Sequence, residues 1–63
     1  MTKEEIEMIK RAIDSHISFL YRSEDAYHRN GNIEAVKDCL SEIRKFSNLK
    51  DNIQKQYGNN SNS

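Results

Sequence analysis

The sequence predicts an all-α protein, an antiparallel two-helix hairpin that dimerises into a four-helix bundle. Three observations predict it. Apolar residues recur at alternating steps of three and four through two long segments. One polar break, Asn30-Gly31-Asn32, separates them, and the chain has no proline. Finally, 63 residues bury little surface on their own, so a chain this short ordinarily leans on a disulfide, a metal or a partner subunit.

The first helix opens at a capping box. Thr2 followed three residues later by Glu5 makes Lys3 the first helical residue. Glu4, Glu5 and Glu7 then lie near the positive end of the helix dipole. The series Ile6, Ile9, Ile13, His16, Leu20, Ser23, Tyr27 carries the helix to about residue 29 along one face. Gly31 can take the left-handed conformation that ends it, and Asn32 can cap the next. The second series, Val36, Cys39, Ile43, Phe46, Lys50, Ile53, Tyr57, predicts a helix over about 33–57, stopped at Gly58. The hairpin thus occupies 1–58, and the polar run 59–63 reads as a disordered tail.

A turn at 30–32 forces the two helices antiparallel. Leu20 then meets Ile43, His16 meets Phe46, and Ile9 meets Ile53. Charge agrees: residues 1–9 carry net −2 and residues 43–57 net +3, and the antiparallel pairing brings these blocks together.

Turning each helix by about 100° per residue spreads the apolar groups beyond one seam. Ile17 and Tyr21 flank the seam of the first helix on one side, with Ala12, Phe19 and Met8 on the other. Ile33 and Leu40 flank one side of the second helix, with Ala35 and Leu49 on the other. One helix partner covers a narrow stripe, so arcs this wide imply a bundle. A homodimer is the economical solution. The same flanks offer Met8, Phe19, Tyr21 and Leu49 as apolar anchors for another protein.

The chemistry of the chain points away from catalysis. Ten acidic and ten basic residues cancel, which argues against holding nucleic acid by bulk charge. Glu4, Glu7, Asp14 and Asp25 fall on the solvent face of the first helix. Asp25 and His28 have the spacing of a di-iron bundle motif without the further inward carboxylates it needs. His16 reads as a polar residue of the bundle core that fixes register. Cys39 reads as buried packing, since no histidine or cation is placed to activate it. No catalytic residue, metal site or cofactor is expected. Arg11, Arg22 and Arg29 line up on the outer face of the first helix as a basic ridge, diluted by the neighbouring acids. The acidic start lacks the pattern of a signal peptide, and no apolar run approaches a membrane span of ~18 residues. With a single cysteine, this points to the cytoplasm.

The opening Met1-Thr2-Lys3, the polar turn at 30–32 and the ending Tyr57-Gly58 resemble the Rop family of plasmid copy-number regulators, antiparallel dimers of helical hairpins. The resemblance covers the layout of the whole chain and rests on unspecific motifs. It implies binding of paired RNA loops through a face of the first helix, with which Lys3 and Lys10 are compatible. Asp14 and Asp25 depart from that face, standing where an aromatic and a basic group are expected. The leading expectation is therefore a small non-enzymatic protein that binds another protein as regulator, inhibitor or adaptor, of phage or plasmid type. The alternative is a Rop-like dimer binding structured nucleic acid through Arg11, Arg22 and Arg29.

Overall fold

In the computed structural model, residues 1–58 are described, and they form α1 over Lys3–Arg29, α2 over Ile33–Ile53, and a single π-helical turn over Gln54–Gly58. The tail expected at 59–63 lies outside the described residues. There is no strand among the described residues, and α1 and α2 pack against each other as a hairpin.

Local chemistry sets each helix end. The Glu5 amide donates to Thr2 Oγ1 at 3.1 Å, and the Thr2 amide donates to Glu5 Oε1 at 2.7 Å, closing the capping box. The hydrogen bond from the Thr2 amide, and after it one with the Thr2 hydroxyl, holds the Glu5 carboxyl below its ordinary pKa.

At the other end, the Asn32 amide donates to Tyr27 O at 2.9 Å and the Gly31 amide to His28 O at 3.1 Å. This is a Schellman closure, and its left-handed residue is Gly31, at φ 73°. Asn32 then opens α2, its Oδ1 accepting from the Ala35 amide at 3.2 Å. One asparagine therefore ends one helix with its backbone and starts the next with its side chain.

The core is a single seam. Ile13 and Leu20 of α1 and Val36, Cys39 and Ile43 of α2 are its buried residues. Ile6, Ile9, Ile17, Phe46, Ile53 and Tyr57 are half-buried, so the seam is driest in the half nearer the turn and its neighbouring middle turns. Tyr27, placed by its periodicity at the centre of the seam, is instead 40% exposed. In the antiparallel register it is level with the first turn of α2, near Val36, and no earlier turn of α2 exists to cover the outer side of its ring.

The α-helix ends at Ile53 rather than at 57, and the last turn widens to π geometry. Gln54, where it widens, accepts a hydrogen bond from Lys10 Nζ at 2.6 Å. The hairpin measures 49 × 15 × 13 Å, with a radius of gyration of 14.6 Å. A compact chain of this length has about 11 Å. The excess reflects a rod one layer thick, on whose two broad faces no further element is laid among the described residues.

Candidate functional site

Three contacts between the helices fix which side chains share a face. The His16 ring meets the Phe46 ring edge-on, with centroids 4.7 Å apart. Lys50 Nζ reaches Asp14 Oδ1 at 2.7 Å, and Lys10 reaches Gln54. His16 and Asp14 lie on opposite flanks of the α1 seam at about 100° per residue. The first contact therefore marks one broad face of the hairpin and the other two mark its reverse.

The first face carries His16, Phe19, Ala12 and Met8 from α1, and Phe46 and Leu49 from α2. Phe19 stacks against His16 with centroids 5.8 Å apart, so the three rings form one aromatic row across the hairpin. Phe19 nevertheless stays 53% exposed, and Met8 and Leu49 are exposed beside it. The reverse face carries Ile17 and Tyr21 from α1, with Leu40 and Ile33 from α2. Tyr21, Ile33 and Leu40 are exposed.

The anchors expected from sequence thus divide. Met8, Phe19 and Leu49 share the first face, and Tyr21 stands alone of the four on the reverse. Leu40 and Ile33, which accompany Tyr21, were absent from the anchor set. The signal that finds them is the reversal of handedness when a helix runs backwards. Increasing angle on α1 and increasing angle on α2 lead to the same side of an antiparallel pair.

His16, expected in the core, is exposed. Facing Phe46 it sits at the rim of the seam, where an imidazole keeps one edge in water and one against rings. Cys39 is buried, as packing requires. Among the described residues no three His, Cys, Asp or Glu side chains are grouped to hold a metal ion. Asp25 pairs with Arg29 at 3.1 Å, one helical turn along.

Arg11, Arg22 and Arg29 are all exposed on the outer side of α1. Asp25 takes up the charge of Arg29, which leaves Arg11 and Arg22 as the unneutralised members of the ridge. On α2 a shallow depression is lined by Lys37, Leu40, Ser41 and Arg44. Consecutive turns of one helix line it, so it has no opposing wall to enclose a ligand. No described helix is long and apolar enough to cross a membrane.

Comparison with protein-family models, curated proteins and solved structures finds no match to this chain.

Proposed function

We propose that this chain is a non-enzymatic interaction protein, which works by laying an exposed helix face against another protein as regulator, inhibitor or adaptor. One observation carries the reading. Among the described residues five are buried, whereas eight large apolar side chains, Tyr21 and Phe19 among them, are at least 40% exposed. Monomeric proteins seldom leave contiguous apolar patches in water, and such patches mark binding faces. Six of the eight gather on two faces, Met8, Phe19 and Leu49 on one and Tyr21, Ile33 and Leu40 on the other, and each is rimmed by charge, the pattern of an apolar centre with a polar edge. The basic ridge supports a nucleic-acid reading less well, because Asp25 neutralises Arg29 and the chain has no net charge.

Photo-crosslinking tests the proposal. A photoreactive phenylalanine analogue at Tyr21, in the cell that makes the protein, should yield a discrete heterologous protein adduct. Leu40→Glu, on the same face, should abolish it. No adduct, together with binding to structured RNA that falls steeply with salt and is lost in Arg22→Glu, would overturn the proposal in favour of nucleic acid.

A further inference from the structure

Phe19 and Phe46 stand on a face that the hairpin itself leaves bare. We infer that a second copy of this chain covers it, related by a two-fold axis parallel to the helices. In that arrangement α1 of one copy lies antiparallel on α2 of the other. The inference rests on the interaction-protein reading above and assigns the occupant of one of its two faces.

Charge along the edges of the face argues for this pairing. Outward from Phe19, at about 100° per residue, the edge of α1 carries Arg22 and then Arg29 and Arg11, all exposed. On α2, Glu34 and Asp38 hold the matching edge and Glu42 stands on the face itself, in line with Leu49 one heptad along; all three are exposed. The contacts Asp14–Lys50, Lys10–Gln54 and His16–Phe46 fix the levels of the two helices. At these levels Arg22 lies between Asp38 and Glu42, and Arg29, already paired with Asp25, lies beside Glu34. A two-fold axis along the rod preserves levels. It therefore stacks the basic edge of each copy over the acidic edge of the other.

Neither Arg22 nor Glu42 has an ion-pair partner among the described residues, so both are open to make this one. Lys45, the remaining cation of that edge, comes level with Ser18 and meets no like charge. Shape agrees, since Leu49 comes level with the gap between Ala12 and His16.

The other symmetric stacking turns the axis across the rod and lays α1 on α1. With the copies fully overlapped, Arg22 of one then comes level with Arg11 of the other, cation beside cation. Like charges held together across an interface disfavour it. The chain's own charge pattern thus separates two bundles that its apolar pattern alone treats alike.

Sedimentation equilibrium of the full-length chain tests the inference. The expected result is a dimer whose dissociation constant is roughly tenfold weaker in Arg22→Glu and in Glu42→Arg, and recovers in the double variant. Both positions are exposed, so the hairpin itself should keep its helical circular dichroism. Tighter association in Arg22→Glu would show the crossed bundle and overturn the inference. An unchanged constant, or a monomer at every concentration, would overturn it equally. Tyr21 lies on the reverse face and is untouched by these changes. A partner crosslinked there without a dimer sinks this inference alone, and a dimer without such a partner sinks the earlier reading alone.

Discussion

Lys50 Nζ lies 2.7 Å from Asp14 Oδ1, an ion pair that bridges the two helices on the face opposite the aromatic row, two residues from His16 along α1. It is the cross-helix ion pair among the described residues. The neighbouring Lys10 divides its ammonium between Gln54 on the facing segment and Glu7, at 3.5 Å, on its own helix. The opposed charge of the two chain ends thus acts mainly as a diffuse preference for the antiparallel pairing, with one close contact.

Solvent screens that contact, because the Asp14 side chain is more than half exposed. A double-mutant cycle with Asp14→Asn and Lys50→Gln should give a coupling of about 0.5 kcal/mol at low salt. It should fade as salt rises. A coupling that salt leaves unchanged would show that the pair is dry, contrary to its exposure.

Gly31 is the position where backbone conformation limits the sequence most tightly. Its φ of 73° closes the Schellman turn, and a Cβ built there meets nothing within 4 Å. Any penalty on substitution is therefore conformational, with no steric part. Gly31→Ala should destabilise the hairpin by about 1–2 kcal/mol, and Gly31→Asn by less, because asparagine tolerates the left-handed region. Thermal melts at matched concentration check the order. Equal melting for all three would mean that the turn is not held in this conformation.

Glu5 supplies the pH dependence of the first turn. Its folded pKa is depressed by hydrogen bonds to the Thr2 amide and hydroxyl. A depressed carboxyl adds stability that is present above its unfolded pKa and is lost as pH falls through the lower folded value. Amide exchange in the first turn should therefore quicken as the solution is acidified below the ordinary glutamate range. Glu5→Gln keeps an acceptor for the Thr2 amide and removes the titration, so its protection should stay flat over the same window. Thr2→Ala should fray the turn at every pH, at a cost of about 1 kcal/mol.

What was legible in the sequence is what local chemistry decides. Thr2, Glu5, Gly31 and Asn32 act within a few residues of themselves, and each does what its type and position imply. Leu20 and Ile43 were legible because periodicity and a short turn together leave one way to pair them. His16 and Tyr27 were not. A helical wheel gives the direction of a side chain but not the width of the neighbour covering it, and α2 is too narrow to cover the rim. The π turn carries no local sequence mark; where it begins, Gln54 accepts from Lys10, a contact 44 residues away in the chain. The division of Tyr21 from Phe19 follows only after the antiparallel partner is placed.

Leu20 and Tyr21 are adjacent in sequence yet face opposite demands, which provides the sharpest check on the fold and the proposed function together. Leu20 is 7% exposed in the middle of the seam, and Tyr21 is 55% exposed. Leu20→Ala should remove about 2–5 kcal/mol, as large-to-small changes in cores do. With five buried residues among those described, a loss of that size should leave the purified chain largely unfolded. Tyr21→Ala should change the stability of the purified chain by no more than about 0.5 kcal/mol, as surface changes do. Its effect should appear instead as lost capture of the partner. Comparable destabilisation of the isolated protein by both changes would mean that Tyr21 belongs to a core, and that the reverse face is already occupied in the free protein.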